Sequence, residues 1–328
     1  MIAVLGAAGT IGRTVCGFLA EWGAPFRRLD YRLEGDEHVD VTDPAVLATA
    51  LEGARVVVNS VDYRFNLEVM RGALAAGADY VDLGGLFHMT RRQLELDGEF
   101  SDAGRTAILG LGSAPGKTNL LARVAAERLG GEPVSMEIWA ATRDPAADGH
   151  PFPAPYSVRT LLDELSLPPM VVEDGDLHET EPISGRKTRE FPEPVGAKEG
   201  IYTLHSELAT LPVRYPTLRE ASFRLCLAPG LIEKLLALPD GDEPEPYTQS
   251  TASVSAHVVE ARNGDGSAVV GTSLTRGGSA RSTSEPPARA AVELLEGRLS
   301  APGVAAPEDA VSDAEGFLAL LSTEVAWS

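Results

Sequence analysis

The chain starts with Met1 and continues with Ile2-Ala3-Val4-Leu5-Gly6-Ala7-Ala8-Gly9-Thr10-Ile11-Gly12. The four apolar residues predict a buried strand, and three glycines with the spacing G-x-x-G-x-x-G follow it directly. Apolar residues then recur at helical intervals as far as Trp22, which predicts a helix. The order of strand, glycine-rich turn and helix is typical of a Rossmann domain that binds a dinucleotide.

Each glycine of this turn has its own task. Gly6 permits the tight turn, Gly9 lets the backbone approach a pyrophosphate, and Gly12 allows the helix to pack closely on the strand. The free N–H groups at the helix N-terminus then face the phosphates. The alternative is a tight turn without a ligand. We expect the cofactor to contact the residues Gly6, Ala8, Gly9, Thr10, Ile11 and Gly12.

An acidic residue, Asp30, ends the second predicted strand, about 20 residues beyond the last glycine, where such folds bind the adenosine ribose. An acid there favours NAD because it repels the 2′-phosphate of NADP. Three arginines surround it, and of these Arg32 could hold that phosphate. The sequence therefore favours NAD and keeps NADP as the alternative. Asp43 and Asn59 are further cofactor candidates, and a helix cap is the stronger interpretation of Asp43.

Strand and helix patterns alternate over residues 1–115, with a short third strand predicted at residues 38–41. This predicts an α/β fold with a doubly wound parallel sheet. Beyond it, turn-rich stretches at residues 143–155 and 191–200 separate strand-like runs, and residues 263–266 form a hairpin signal. We place the Rossmann domain at residues 1–118 and a second α/β domain with a mixed sheet at 119–287. Helices near residues 288–328 are candidates to pack back on the Rossmann domain.

Composition excludes several classes of protein. The net charge of −20 repels nucleic acid, and no apolar run is long enough for a membrane span. The two cysteines and the scattered histidines show no metal-ligand spacing. Without a signal peptide at Met1, we expect a cytoplasmic protein. A short-chain dehydrogenase is also excluded, because no tyrosine precedes a lysine by four positions. Residues 116–118 miss the phosphate-loop motif, which needs a glycine at position 111.

Several segments in a fixed order resemble the saccharopine dehydrogenase-like family, which includes lysine 6-dehydrogenases and carboxynorspermidine dehydrogenases. They are the glycine turn with Asp30, and the segments 39–43, 80–84, 112–119, 204–207 with 210–212, and 303–308. The resemblance implies an NAD(P)-dependent dehydrogenase or reductase that acts on a C–N bond of an amino acid or polyamine-like substrate. It also implies a homodimer. One alternative is a redox-neutral, homospermidine synthase-like transferase with bound NAD, and another is a non-catalytic dinucleotide sensor.

The resemblance also directs attention to particular residues. Oxidation of an amine requires a base, and reduction of an imine requires an acid. His205 is the candidate for this base or acid. Glu207 lies two positions later, and since alternate residues of a strand face the same side, both could line one pocket. The other proposed contacts are Asn119 and Tyr156 as catalytic residues, Pro115 and Gly116 near the nicotinamide, and Arg143 and Arg214 as clamps for a substrate carboxylate. The alternatives are a structural role for His205, a helix N-cap for Asn119, simple packing for Tyr156, and plain exposure for the two arginines.

Overall fold

The structure is a computed structural model that describes residues 1–239, 241–242, 244 and 247–328. The chain divides into two compact units. Unit 1 comprises Met1–Lys117 and Thr283–Leu321, and unit 2 comprises Thr118–Ser282 and Ser322–Ser328.

In chain order, the strands and α-helices are β1 (Ile2–Leu5), α1 (Thr10–Glu21), β2 (Phe26–Leu29), α2 (Pro44–Leu51), β3 (Val56–Asn59), α3 (Asn66–Ala75), β4 (Asp79–Asp82), α4 (Leu86–Leu94), α5 (Asp97–Asp102), β5 (Thr106–Ile108), α6 (Lys117–Arg128), β6 (Pro133–Arg143), α7 (Val158–Ser166), β7 (Met170–Glu173), β8 (Asp176–Glu179), β9 (Lys187–Phe191), β10 (Gly196–Tyr202), α8 (Glu207–Arg214), β11 (Glu220–Cys226), α9 (Leu231–Leu236), β12 (Val254–Asn263), β13 (Ala268–Arg276), α10 (Gly278–Leu295), β14 (Gly303–Ala305), α11 (Pro307–Ala310), α12 (Ala314–Ala319) and β15 (Glu324–Trp327).

Unit 1 is built on a six-stranded sheet in the order β14-β5-β4-β3-β1-β2. All of its neighbouring strands run parallel. Strands β1 and β3 are buried along their whole length, because a parallel sheet is covered on both faces. Leu5, Val57 and Tyr80 of the sheet share one core with Met70 and Phe100 of the helices. The predicted Rossmann-type parallel sheet is confirmed.

The third strand predicted at residues 38–41 is wrong. A single bridge between Asp30 and His38 joins this segment to the sheet. Immediately beyond it, the Asp40 carboxylate accepts hydrogen bonds from the backbone N–H and the hydroxyl of Thr42. Such local side-chain bonds favour a turn over a strand, which explains why the pairing stops after one residue.

Unit 2 contains a nine-stranded mixed sheet in the order β15-β13-β12-β6-β11-β10-β9; in addition, β7 pairs with β11, and β8 pairs with β7. β11 runs parallel to β6, whereas β12 runs antiparallel to it. β12 and β13 form the hairpin predicted from residues 263–266. Trp139, Val258 and Leu274 belong to a core cluster of this unit. The predicted second domain with a mixed sheet is therefore confirmed.

Two further features of the sequence prediction need correction. The stretch at residues 191–200 is largely sheet, since β9 and β10 pair across it. Its exposed charged side chains resemble those of a loop, which explains the error. Helix α10 begins at Gly278, well before the predicted start at residue 288. It contains Pro286 and Pro287, and proline ordinarily interrupts a helix.

Candidate functional site

The glycine turn of unit 1 has the geometry that a dinucleotide requires. Gly6 has φ +77°, and a Cβ there would lie 2.6 Å from the Ser60 carbonyl oxygen. A Cβ on Gly12 would lie 2.1 Å from the Gly6 carbonyl oxygen, so the backbone demands glycine at both positions. Helix α1 has Gly9 as its N-cap, without a side chain to cap the first N–H groups. Uncapped N–H groups at a helix N-terminus are donors of the kind that bind anions.

Asp30 lies at the end of β2, beside this turn, and is buried. Its Oδ2 accepts the Ala8 backbone N–H at 3.0 Å, and the Arg32 guanidinium approaches both of its oxygens. Burial alone would raise the pKa of Asp30, but the hydrogen bonds from Arg32 and Ala8 lower it below its usual value. Asp30 is therefore an ionised carboxylate next to the glycine turn.

Asn59 lies at the carboxyl end of β3, where the sequence suggests a cofactor contact. Its side-chain amide donates to Asn66 Oδ1 and Tyr80 Oη, both at 2.9 Å. The neighbouring Asp82 carboxylate accepts the Gly110 backbone N–H at 2.6 Å and a Gln93 amide at 2.6 Å. The hydrogen bonds of these buried side chains connect the loops at the edge of the sheet. The Asn59 side chain is therefore bonded within the protein, to Asn66 and Tyr80.

The other cofactor candidates of unit 1 lie in turns. Asp43 caps α2 by accepting the N–H groups of Ala45 and Val46, the role that the sequence already favoured. Pro115 packs on Gly84, where a Cβ would lie 2.7 Å from its ring. Gly116 has φ +122°, and a Cβ there would lie 2.3 Å from the Gly112 nitrogen. Pro115 and Gly116 therefore fix the shape of the loop that follows β5.

Unit 2 contains a buried cluster centred on His205, which we call the His205 cluster; its members are Thr118, Tyr156, Glu164, His205 and Glu207. His205 Nδ1 lies 2.6 Å from Glu207 Oε2, and Thr118 donates its hydroxyl to Glu207 Oε1 at 2.7 Å. His205 Nε2 lies 3.9 Å from Glu164 Oε1. Tyr156 donates its hydroxyl to Glu164 Oε2 at 2.6 Å. One imidazole is thus flanked by two carboxylates.

Separate elements position these side chains. Glu207 is the first residue of α8, Thr118 lies in the first turn of α6, and Glu164 lies on α7. The His205 ring stacks on Phe223 of β11, with the ring centroids 3.6 Å apart and the planes 9° apart. The expectation that His205 and Glu207 share one strand face is wrong, because the chain turns into α8 between them. The two side chains nevertheless meet.

Burial and charge give this cluster unusual protonation properties. Burial raises the pKa of Glu164 to about 7, although His205 and the Tyr156 hydroxyl oppose the shift. Burial alone would lower the pKa of His205, but Glu207 and then Glu164 raise it above its usual value. Burial and the nearby Glu164 raise the pKa of Tyr156 well above its usual value. Tyr156 therefore stays protonated, and Glu164 can gain or lose a proton near neutral pH.

Sequence reasoning missed Glu164 and Thr118. A signal for Glu164 exists, because it lies on the buried side of α7 with Leu161 and Leu165. A carboxylate among apolar residues at helical spacing indicates a buried ionisable group, which is a candidate for a functional site. Thr118 has no comparable signal, since its partner Glu207 lies 89 positions further along the chain.

Three further candidates belong to unit 2. Asn119 is buried in the first turn of α6, directly after Thr118. Arg143 ends β6 and is paired with Asp148 at 2.9 Å. Arg214 ends α8, and its Nε lies 3.2 Å from the Tyr215 hydroxyl.

Among the residues that the structure describes, no group of three or more His, Cys, Asp or Glu side chains is arranged to hold a metal ion. No helix built from them is both long and apolar enough to cross a membrane.

Comparison with known proteins gives a consistent picture. Residues 35–108 match the family model described as the saccharopine dehydrogenase NADP binding domain. A carboxyaminopropylagmatine dehydrogenase of Synechocystis sp. is 26% identical over 192 residues, which is 57% of this chain and 48% of that protein. The chain therefore spans about half the length of this curated relative.

A solved structure of saccharopine dehydrogenase (L-Glu forming) from Saccharomyces cerevisiae matches 99% of both chains, with a TM-score of 0.66 and 16% identity. At this identity the match shows the fold. The resemblance to the saccharopine dehydrogenase-like family and the α/β fold are confirmed, and unit 1 carries a domain of the type that binds a nicotinamide dinucleotide. Both relatives are named as dehydrogenases, the class that the sequence predicts.

Proposed function

We propose that the chain is an NAD(P)-dependent oxidoreductase that acts on the C–N bond of a small amine, either an amino acid or a polyamine-like molecule. The observation that carries this proposal is the His205 cluster, in which two carboxylates flank one buried imidazole. The dehydrogenase relatives and the dinucleotide-type domain of unit 1 support it. We assign dinucleotide binding to unit 1 and proton transfer to unit 2.

The turn of residues 6–12 would hold the pyrophosphate of the cofactor. The backbone N–H groups at the start of α1 supply donors that need no rearrangement when the anion arrives. When bound, the nicotinamide accepts or donates a hydride, the two-electron part of the reaction that amino-acid side chains do not supply. The chain itself has to orient the substrate and move a proton.

Oxidation of an amine to an imine removes one hydride and one proton overall, so the protein has to accept that proton. Glu164 is suited to this task because its pKa is raised to about 7, near the pH at which a general base works. His205, whose pKa is raised above its usual value by Glu207 and Glu164, lies beside it. The 3.9 Å between His205 Nε2 and Glu164 Oε1 is too long for a direct hydrogen bond. An atom beside that line can lie about 2.8 Å from both, within hydrogen-bonding distance. An ammonium nitrogen there would donate one N–H to each acceptor.

Glu207 and Thr118 would keep the imidazole ready for this exchange. Glu207 accepts from Nδ1 and so leaves Nε2 to face the substrate. The Thr118 hydroxyl satisfies the second oxygen of Glu207, which is fully buried. The reverse reaction, reduction of an imine, would use the same groups with Glu164 protonated.

The test combines binding with turnover. Purified protein is titrated with NADH and NADPH by fluorescence, and NAD⁺ and NADP⁺ are then mixed with a panel of amino acids and polyamines while absorbance at 340 nm is recorded. We expect binding and turnover on at least one amine. Retained dinucleotide with product but no net absorbance change would indicate the redox-neutral transferase instead. Binding without any product would indicate a sensor.

The cytoplasmic location and the homodimer stay predictions of the sequence. Light scattering after size-exclusion chromatography tests the dimer, which would show twice the 34.6 kDa mass of the chain.

A further inference from the structure

The two faces of the sheet in unit 2 differ in polarity. Val254 and Ala256 of β12 belong to the apolar core cluster of this unit. Successive residues of a strand point to opposite faces, so Ser255 and His257 lie on the other face, and both are buried. There His257 Nδ1 lies 2.8 Å from the Ser273 hydroxyl of β13. The second face therefore carries buried polar side chains at this end of β12.

The His205 cluster lies on the same polar face. Phe223 of β11 is in register with Ile138 of β6, which is in register with Val259 of β12. Residues in register share a face, and Ser255 shares it with Val259 because the two are an even number of residues apart. Since the His205 ring stacks on Phe223, His205 and Ser255 are on one side of the sheet. Ser255 lies about 10 Å across the strands and about 13 Å along them from Phe223.

A chain of contacts joins the two ends of this face. The Ser279 hydroxyl lies 2.8 Å from the Pro155 carbonyl oxygen and 2.9 Å from Gln249 Oε1. The Ser279 backbone N–H donates to the same Gln249 oxygen at 2.6 Å. Pro155 directly precedes Tyr156, whose hydroxyl binds Glu164. Gln249 therefore lies beside the loop that carries Tyr156 into the His205 cluster.

Three polar groups near Gln249 have no partner. Within the part of the chain that the structure describes, Gln249 Nε2 and the hydroxyls of Ser253 and Ser255 are buried without a hydrogen bond. We call these three residues the donor triplet. Ser253 is 0% exposed and Ser255 3%. The Ser253 carbonyl accepts the Gly278 N–H at 3.0 Å, and a Cβ on Gly278 would lie 2.4 Å from Gln249 Oε1. Buried polar groups of native proteins nearly always have partners, so this triplet indicates the place of a ligand.

We propose that the donor triplet is a second substrate subsite that binds a carboxylate. The proposal rests on the proposed function and deepens it. Because Gln249 Oε1 is engaged by Ser279, the Gln249 side chain has only its Nε2 donors to offer. Serine hydroxyls also donate, whereas a carboxylate has only acceptors. A second ammonium group would bring more donors and would leave Gln249 Nε2 without a partner.

The distance between the donor triplet and the His205 cluster restricts the substrate further. An α-amino group is separated from its carboxylate by one carbon and cannot reach from His205 to Ser255. The reacting nitrogen and the carboxylate therefore lie at opposite ends of an extended chain. Thr142, in register with Ser255, is half-buried, so solvent reaches this end of the face. The donors are uncharged, which distinguishes the subsite from an arginine clamp.

The first part of the test compares amines that differ in one group. L-Lysine carries a carboxylate far from its ε-amine, cadaverine is the same chain without the carboxylate, and L-norleucine has the α-amine alone. Every other amine of the screen that is turned over is also compared with its decarboxylated analogue. We expect kcat/KM to be at least about tenfold higher for the carboxylate-bearing partner of the pair that reacts.

The second part uses variants and the amine that is turned over. Ser255→Ala should raise KM about tenfold at constant kcat. Its thermal melt should not fall, because the lost hydroxyl has no partner in the folded chain. Gln249→Glu keeps the acceptor for Ser279 but adds a negative charge. It should raise KM about a hundredfold and favour the decarboxylated analogue. Ser267→Ala, in the exposed turn of the same hairpin, is the matched control and should keep the wild-type KM.

Several results would overturn the subsite while leaving the proposed function intact. They are turnover of an amine without a carboxylate as the preferred substrate, reaction at an α-amine, and an unchanged KM in Ser255→Ala or Gln249→Glu. If Gln249→Glu does not fold, Ser255→Ala decides alone. Failure of every amine in the screen to react would instead reject the proposed function.

Discussion

The glycine turn of unit 1 and the His205 cluster of unit 2 are built in opposite ways. The turn is a short continuous segment whose function depends on backbone N–H groups and on the absence of side chains at Gly6, Gly9 and Gly12. The cluster depends wholly on side chains, which come from α6, α7, α8 and the loops before α7 and α8. The residues of a backbone site are neighbours in the sequence, whereas the residues of a side-chain site come together only when the chain folds.

This difference predicts different responses to mutation. A side chain at Gly6 or Gly12 would clash with the backbone itself, whereas a side chain at Gly9 would enter the space that we propose for the cofactor. A substitution in the cluster leaves that space alone and changes hydrogen bonding and protonation. Mutations should therefore impair cofactor binding and proton transfer independently of each other.

The largest effect is expected for Gly9→Asp. A Cβ at this position would lie 3.2 Å from the Gly6 carbonyl oxygen, so the turn has to adjust slightly, and a thermal melt checks that the variant folds. The new carboxylate would face the dinucleotide phosphates, and like charges brought together cost several kcal/mol. Titration with NADH and NADPH should show no measurable binding. Gly17→Asp on the same helix is the control, because a Cβ there meets nothing within 4 Å. Unchanged affinity in Gly9→Asp would remove the turn from the binding site.

The second largest effect is expected in the pH dependence of the free energy of unfolding, which Glu164→Gln should change. Burial raises the pKa of Glu164 from its ordinary 4.5 to about 7, so the folded state binds the proton more tightly than the unfolded state does. Its stabilising contribution is complete below pH 4.5 and is lost as pH rises through about 7. The loss amounts to at most about 3 kcal/mol.

Glu164→Gln cannot ionise, so its free energy of unfolding relative to wild type should increase between pH 5 and pH 8. Denaturant unfolding at both pH values measures this. Glu179→Gln, on the exposed strand β8, should show no such trend. A difference between Glu164→Gln and wild type that is independent of pH would contradict the buried, proton-binding role of Glu164.

A smaller effect is expected for Thr118→Val, which removes the hydroxyl that binds the buried Glu207. A hydrogen bond to a charged group contributes about 1.5–3 kcal/mol, so kcat/KM should fall about ten- to a hundredfold while the Kd of NADPH stays constant. Thr118→Ser restores the hydroxyl and should recover most of the activity. Equal loss in both variants would mean that packing, and not the hydrogen bond, is what matters at Thr118.

The smallest effect is expected for Tyr156→Phe. The Tyr156 hydroxyl lowers the pKa of Glu164 by donating to it, so its removal should move that pKa further up. In amine oxidation, kcat/KM should rise with pH in wild type as Glu164 ionises, and this rise should move to higher pH by less than about one unit in the variant. A shift to lower pH would contradict the arrangement.

The contrast between the glycine turn and the His205 cluster also explains how much of each could be predicted from the sequence. The turn was predictable because the strand, the three glycines and Asp30 occur in order within one βαβ unit. The pairing of Arg32 with Asp30 was not predictable. Three arginines flank Asp30, and the sequence does not show which of them contacts its carboxylate. In the cluster, His205 and Glu207 were found, but on the wrong assumption that they share a strand. Glu164 could be found from the buried face of α7, and Thr118 only from the fold.

The division between the two regions is tested most directly by the variant His205→Gln. Its NADPH affinity and its turnover of the amine identified in the screen are measured in parallel with those of wild type. We predict an unchanged Kd for NADPH and a kcat lower by about 10²–10⁴, the usual contribution of a general acid–base group. A variant that binds NADPH normally and turns over the amine at the wild-type rate would contradict the account, since proton transfer would then not depend on the His205 cluster.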